Sequence, residues 1–89
     1  MNLTDTPTQN LETAARKIDD LFYVMNPDTS ELHNFNEVGT RIWELIDGQR
    51  TVADIAAVLT QEYEVDGATV EADLLEFLTS LQGKGLIEI

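Results

Sequence analysis

The sequence contains no cysteine and few basic residues, and both shortages exclude classes of function. Its 89 residues include five lysines and arginines against seventeen aspartates and glutamates, for a formal net charge of −12. Without cysteine the chain cannot form disulfides, bind a metal through thiolates or use a thiol nucleophile. Because nucleic-acid phosphates are bound by clustered lysine and arginine, the charge also argues against a nucleic-acid partner.

The sequence also lacks a long apolar run and a second histidine. No stretch approaches the roughly 18 apolar residues of a membrane span, and residues 1–5 lack a secretory-signal pattern. We therefore expect a cytoplasmic protein with no membrane partner. His33 is the only histidine. Since a catalytic or metal-binding role for it would need a second suitable side chain, we predict no catalytic residue, no metal and no cofactor.

The length and the polar beginning of the sequence indicate one folded domain that follows a tail. A chain of 89 residues has room for a single hydrophobic core. Residues 1–13 are rich in Thr, Asn, Gln and Asp, so they carry too few large apolar groups to offset chain entropy. We predict a mobile polar tail over residues 1–13, with at most a helical turn near residues 11–15, and a single domain over residues 14–89.

Three short segments after the tail have the composition of β-strands. Residues 21–25 form a β-branched and aromatic run, and residues 31–35 alternate polar and apolar side chains. The turn-forming sequence at residues 27–30 separates these two segments, which indicates a hairpin. A shorter strand near residues 16–18 precedes it. Together they predict a three-stranded antiparallel sheet.

Three amphipathic helices are predicted to follow the strands. Asn36 is a plausible N-cap for the first helix, Thr51 with Asp54 forms a capping box for the second, and either Asp66 or Thr69 caps the third. Apolar residues at helical spacing mark each segment: Val38, Ile42, Leu45 and Ile46; Val52, Ile55, Ala56, Leu59 and Tyr63; Val70, Leu74, Leu75, Phe77, Leu78 and Leu81. The sequence therefore predicts an α+β fold of the winged-helix type, in which a three-stranded antiparallel β-sheet precedes three α-helices.

Several segments in this order resemble the PqqD family. The resemblance extends over residues 16–88 and is carried by residues 35–39, 42–48, 51–55 and 73–78, with Leu81, Gly85 and Leu86. Phe35 departs from the family pattern, in which leucine is common at this position, and so does the long polar tail. The resemblance implies a winged-helix-like recognition element for ribosomally synthesised, modified peptides. Such a domain binds the leader segment of a precursor peptide and, like a chaperone, presents it to a modifying enzyme such as a radical-SAM protein or a peptidase.

The residues themselves suggest where a peptide would bind. The last predicted strand can be an unpaired sheet edge, and such an edge pairs readily with an added strand. The third helix is apolar over more of its circumference than one stripe requires, so part of it is available to a partner. The candidate peptide-binding residues are Glu31, Leu32, His33, Asn34, Phe35, Val70, Leu74, Leu75, Leu78 and Leu81. For each leucine, a place in the core is an equal alternative.

Two other functions remain open at the level of sequence. The chain could be a small winged-helix regulatory protein that acts through protein contacts, since its charge opposes DNA binding. It could also be a structural subunit, or an antitoxin-like protein, that folds against a larger partner. Trp43 is expected to anchor the core, and an exposed aromatic contact for a partner is the alternative.

Overall fold

The computed structural model describes residues 1–89 and contains three helices and five strands. The elements are β1 (Thr8–Gln9), β2 (Ala14–Ile18), β3 (Leu21–Met25), β4 (Leu32–Asn34), α1 (Glu37–Leu45), α2 (Val52–Tyr63), α3 (Gly67–Gly83) and β5 (Ile87–Glu88). Strands β2, β3 and β4 form an antiparallel sheet in that order, while β1 pairs with β5. The predicted α+β class, with a three-stranded antiparallel sheet followed by three helices, is confirmed. None of the helices is long and apolar enough to cross a membrane.

A tight hairpin joins β2 and β3. Ile18 pairs with Leu21, so only Asp19 and Asp20 form the turn. Both have positive φ angles, 52° and 66°, which is the backbone geometry of the two-residue turn that matches strand twist. Since aspartate tolerates this conformation better than most residues, the acidic pair ends one strand and starts the next.

The sheet packs one of its faces on the helices. Val24 of β3 is fully buried, and the amide of Phe22 donates a hydrogen bond of 3.0 Å to the Thr40 hydroxyl in α1. Lys17 points to the same side, where its ammonium lies 3.0 Å from a carboxylate oxygen of Glu44 in α1. Because side chains alternate along a strand, the residues between these lie on the opposite face, away from the helices.

The helices begin where the sequence predicts. Asn36 caps α1, and Thr51 and Asp54 form the predicted capping box at α2, with backbone-to-side-chain distances of 3.1 and 3.0 Å. At α3 the structure decides between the two candidates. The Asp66 carboxylate accepts a hydrogen bond from the amide of Thr69, so Asp66 is the N-cap.

One hydrophobic core lies between the sheet and the three helices. Trp43 is almost completely buried, which supports its role as a core anchor over an exposed contact. The core comprises 16 residues: Val24, Phe35, Ile42, Trp43, Leu45, Ile46, Val52, Ile55, Ala56, Leu59, Val70, Leu74, Leu78, Leu81, Leu86 and Ile87.

The N-terminal segment differs from the predicted mobile tail. The carbonyl oxygens of Leu3 and Asp5 accept hydrogen bonds of 3.0 and 2.9 Å from the first two amides of α2, which have no partner within the helix. Pro7 is buried, and β1 pairs with β5. The folded unit therefore includes residues before 14. The expected helical turn near residues 11–15 is also wrong, because Ala14 and the next residue already belong to β2.

Candidate peptide-binding site

Strand β4 is an open edge of the sheet. It pairs with β3 on one side only. The amide of Phe35 donates to the carbonyl of Phe22, and the carbonyl of Glu31 accepts from Asn26, each at 3.0 Å. Along an antiparallel strand, every second residue directs its N–H and C=O groups to the same side. Glu31, His33 and Phe35 direct theirs to β3, and the two residues that alternate with them direct theirs to the open side. The edge therefore offers the main-chain groups of Leu32 and Asn34.

The side chains of β4 alternate between the two faces of the sheet. Phe35 is buried on the helical side, whereas Leu32 is 64% exposed on the other. His33 also points to the helical side, since it pairs with the buried Val24. The Nε2 atom of His33 lies 3.6 Å from a carboxylate oxygen of Glu31. Of the five predicted residues from the strand, Phe35 contributes to the core, and the other four are exposed or half-buried.

Phe35 connects the open edge to α3. Its ring centroid lies 5.7 Å from that of Phe77 in an edge-to-face arrangement, and 5.7 Å from that of Trp43. Edge-to-face packing at this distance is favourable for aromatic rings. Phe77 is only half-buried, so part of its ring remains available beside the strand. The structure thus brings β4 and α3 together at Phe77.

The structure divides the predicted residues of α3 into separate groups. Leu78 and Leu81 are buried in the core, which is the alternative that the sequence leaves open for each leucine, and neither lines the apolar cleft described below. Their spacing from Leu74 places all three on one side of the helix, because successive side chains rotate by about 100°. Leu75 is half-buried but follows Leu74 on the flank opposite Phe77. Leu74, Leu78 and Leu81 together form the side of α3 that covers the core.

An apolar cleft lies between the start of α1, the end of α2 and the first half of α3. Its volume is about 420 Å³. Its lining residues are Asn36, Val38, Gly39, Ile42, Leu59, Tyr63, Val65, Val70, Asp73, Leu74 and Phe77. Val70 and Leu74 are thus the two predicted α3 residues that face the cleft as well as the core. Phe77 is shared by the cleft and the contact with β4, so the cleft opens beside the end of that strand.

Gly39 allows Phe35 and Phe77 to pack closely against α1 at the wall of this cleft. A Cβ atom placed on it would lie 3.1 Å from the Cβ of Phe35 and 3.3 Å from the ring of Phe77. Both distances are shorter than ordinary carbon–carbon contacts. The glycine in the first turn of α1 therefore lets the strand end and α3 approach each other.

An ion pair holds the two helices that flank the cleft. The guanidinium of Arg41 in α1 donates hydrogen bonds of 2.8 and 2.7 Å to the two carboxylate oxygens of Glu62 in α2. The hydrogen bond from Arg41 lowers the pKa of Glu62, and the same bond raises the pKa of Arg41. This bidentate geometry is the most specific form of such a pair. It fixes α1 against the end of α2, next to the cleft residues Ile42 and Tyr63.

Sequence reasoning missed several residues of the site. Phe77 is the main omission, although a signal was present: Asp73 and Ser80, one turn away on either side, and the preceding Glu76 are polar. An aromatic residue on a polar flank of a helix is a candidate contact. Val38 and Val65 were also missed, because their exposure at the cleft depends on how the helices cross. No three side chains of His, Asp or Glu come together as a metal site.

Comparison of sequences finds relatives in one family. The family model described as coenzyme PQQ synthesis protein D (PqqD) matches residues 22–87. The chain is 43% identical over 47 residues to the bifunctional coenzyme PQQ synthesis protein C/D of Methylorubrum extorquens, covering 53% of this chain and 13% of that protein. It is 35% identical over 54 residues to a PqqA binding protein of Xanthomonas oryzae pv. oryzae, covering 61% of this chain and 59% of the relative. The matches thus span less than two thirds of either relative.

Solved structures with the same fold include proteins bound to leader peptides. TbiB1 in complex with the TbiA(beta) leader peptide has a TM-score of 0.85 and 32% identity, covering 91% of this chain and 94% of that chain. The PqqD truncation of Methylobacterium extorquens PqqCD, a stand-alone RiPP recognition element, has a TM-score of 0.81 and 27% identity, covering 99% and 94%. A lasso peptide synthetase B1 complexed with its leader peptide, at 24% identity and a TM-score of 0.85, covers 96% and 100% and shows the shared fold.

Proposed function

Because the chain belongs to the PqqD family, we propose that it is a non-catalytic adaptor for a ribosomally synthesised precursor peptide. It binds the leader segment of the precursor and presents the peptide to a modifying enzyme. The observation that carries this proposal is the open edge of β4 beside the half-buried ring of Phe77. Since such a precursor is made in the cytoplasm, binding takes place there.

The leader peptide adds to the sheet as a fourth strand. The N–H and C=O groups of Leu32 and Asn34 face the open side of β4 and pair with the main chain of the peptide. These bonds are independent of the peptide's side chains, so they contribute affinity more than specificity. Specificity comes from alternate side chains of the added strand, which point towards α3.

The apolar cleft receives a side chain of the leader. It begins where β4 ends, at Asn36, and Phe77 forms part of its wall. A peptide that runs along β4 and past its end reaches the cleft without leaving the sheet direction. An apolar side chain there buries surface against Val38 and Val65, which are 43% and 46% exposed in the free chain.

The chemistry near the cleft supports binding without catalysis. The shifted pKa values of Arg41 and Glu62 arise from their mutual hydrogen bonds, and neither residue lines the cleft. Asp73 is the one carboxylate in the lining of the cleft, and a hydrolase or transferase would need a second catalytic group positioned with it against the bound peptide. The modifying chemistry therefore belongs to the partner enzyme, for which the family resemblance implies a radical-SAM protein or a peptidase.

Titration of the isotope-labelled chain with the leader peptide of its cognate precursor tests the site by NMR. We expect amide shifts at residues 31–35 and 73–80, because the peptide contacts β4 and the flank of α3 that carries Phe77. Shifts confined to the start of α2 or to the turn at residues 26–30 would contradict the edge-strand mechanism, although binding itself would remain.

A matched pair of variants in α3 separates the proposed groove from the rest of the helix. Phe77→Ala should weaken leader binding about tenfold or more, as expected for an aromatic anchor at an interface. Leu75→Ala removes a side chain that is also half-buried but lies on the opposite flank. It should change the affinity less than about twofold. Calorimetry measures both, and equal losses would place the peptide elsewhere.

A further inference from the structure

The sheet has an apolar face that no part of the chain covers. Three cross-strand pairs lie on the side opposite to Val24 and the helices: Ile18–Leu21, Arg16–Tyr23 and Met25–Leu32. These six residues, which we call the outer sheet face, share that side with Ala14 and Asn34 and alternate with the inward-facing residues of the same strands. Met25, Ile18 and Leu32 are 39%, 46% and 64% exposed.

The exposure of this face is unusual for the molecule. The whole chain has seven exposed large apolar side chains. Three of them lie on the outer sheet face, and two others, Val38 and Val65, line the apolar cleft. The N-terminal segment packs on α2 and β5 and leaves the outer sheet face open. Grouped exposed apolar side chains on a soluble domain mark a site of interaction. The outer sheet face is therefore a second binding surface, distinct from the edge of β4.

The charge of the outer sheet face also sets it apart. In a chain with a net charge of −12, its one charged residue is Arg16, which forms no ion pair. Lys17, the next residue, points to the opposite face, where it meets Glu44. A binding partner that complements this face has an apolar surface and places a carboxylate opposite Arg16.

A second copy of the chain does not meet this requirement. Arg16 and Tyr23 lie in the middle row of the face, between the pairs formed by Ile18 and Met25. A second copy would present the same face, which has no carboxylate to pair with Arg16, and it would bring together two chains of charge −12. The occupant is a different protein.

We propose that the outer sheet face is the docking surface for the modifying enzyme, which meets it with an apolar patch and a carboxylate opposite Arg16. This inference rests on the proposed function. The docking surface also explains how the chain presents the leader to the enzyme, because a leader strand added at β4 continues the same sheet. Every second side chain of the leader then lies beside Leu32 on this face. An enzyme docked here contacts the adaptor and the leader together, so each strengthens the binding of the other.

Variants on the outer sheet face test the proposal with the modifying enzyme that acts on the same precursor as the probe. Met25→Lys places a charge in the apolar patch and should weaken enzyme binding about tenfold or more in the presence of saturating leader. Arg16→Glu should do the same by opposing the carboxylate. Leu11→Lys is the matched control, since Leu11 is 98% exposed and lies outside the face. It should leave enzyme binding unchanged.

Leader affinity, measured on the same proteins, shows that each variant is folded and separates the two proposals. All three variants should bind the leader within about twofold of the wild type. Enzyme binding that survives both Met25→Lys and Arg16→Glu would overturn the docking surface, as would a wild-type complex of chain and leader that does not bind the enzyme. A wild-type dimer in sedimentation that Met25→Lys dissociates would also overturn it, by identifying a second copy as the occupant. Failure of the wild type to bind the leader at all would instead overturn the proposed function.

Discussion

Gly39 shows how one residue connects the fold to the candidate site. It stands in the first turn of α1, where glycine costs helix stability, yet a side chain there would press on Phe35 and Phe77. These two rings join the open edge of β4 to α3. The residue with the lowest helix propensity apart from proline is therefore at a position where the end of β4 and α3 leave no room for a side chain.

A pair of glycine substitutions tests this interpretation. Gly39→Ala should destabilise the chain by about 1 kcal/mol, because the strain of three close contacts, with Phe35, Asn36 and Phe77, exceeds the gain in helix propensity. Gly83→Ala is the control. It lies at the end of α3 with no atom within 4 Å of the added Cβ, so it should stabilise the chain by up to about 1 kcal/mol. Urea unfolding measures both, and stabilisation by both substitutions would show that the contacts at Gly39 relax at no cost.

At the scale of single residues, the sequence predicts the site in part. The strand residues 31–35 follow from alternation and from the turn before them, and the structure places them on an open edge. The leucines of α3 could not be assigned, because periodicity identifies the apolar side of a helix but not what covers it. Leu78 is core, whereas Phe77, one position earlier, lies at the cleft. Only the crossing of the helices decides between them.

At the scale of elements, local signals account for most of the fold. The helix starts follow from the caps at Asn36, Thr51 and Asp66, and the hairpin of β3 and β4 follows from the turn-forming residues 27–30 between its strands. Strands β1 and β5 have only two residues each, and they pair across nearly the whole chain. Residues 86–89 read as a possible short terminal strand, but β1 is too short to show an alternating pattern, and its place in the sheet depends on β5 far away in sequence. This is the reason that the N-terminal segment was predicted as a tail.

The contact between α1 and the end of α2 should depend on pH through Glu62. Its pKa is lowered by the hydrogen bond from Arg41, so the folded-state value lies below the unfolded value of about 4.3. The ionised pair therefore stabilises the fold above that pH, and the contribution is lost as the pH falls through the folded-state pKa. Glu62→Gln should make the melting temperature fall less steeply between about pH 5 and pH 3 than in the wild type.

The control for this pH dependence is Glu71→Gln. It makes the same change of charge at a residue of α3 that forms no ion pair. Thermal unfolding followed by circular dichroism across the pH series compares the three proteins. Identical slopes for Glu62→Gln and Glu71→Gln would mean that the change reflects total charge and not the pair with Arg41.

At the scale of the whole molecule, the two faces of the sheet and its edge have different roles. The inner face completes the core, the β4 edge is proposed to take the leader, and the outer sheet face is proposed to take the enzyme. A domain of 89 residues has a small total surface, so separate contacts must use adjacent parts of the same sheet. The N-terminal segment takes no part in these surfaces. It packs at the start of α2 and beside β5, so its role is stability.

Removal of residues 1–9 should therefore separate stability from binding. The deletion takes away the carbonyl groups of Leu3 and Asp5 that bind the first amides of α2, the buried Pro7, and the hydrogen bond of 3.0 Å from the Gln9 side chain to the carbonyl of Trp43. Loss of these bonds and of the apolar contact should lower the free energy of unfolding by about 2–4 kcal/mol. Trp43 is buried beneath this segment, so its fluorescence can follow unfolding in urea.

The fraction of the truncated chain that remains folded should bind the leader with unchanged affinity, because β4, Phe77 and the cleft are intact. Leu11→Ala in the full chain is the control, since that side chain is 98% exposed and should contribute little to stability. If the truncated chain is as stable as the full chain, the contacts of the N-terminal segment contribute nothing to the fold. If it is destabilised and also binds the leader more weakly than its folded fraction explains, the segment acts on the groove, and stability and binding are coupled through α2.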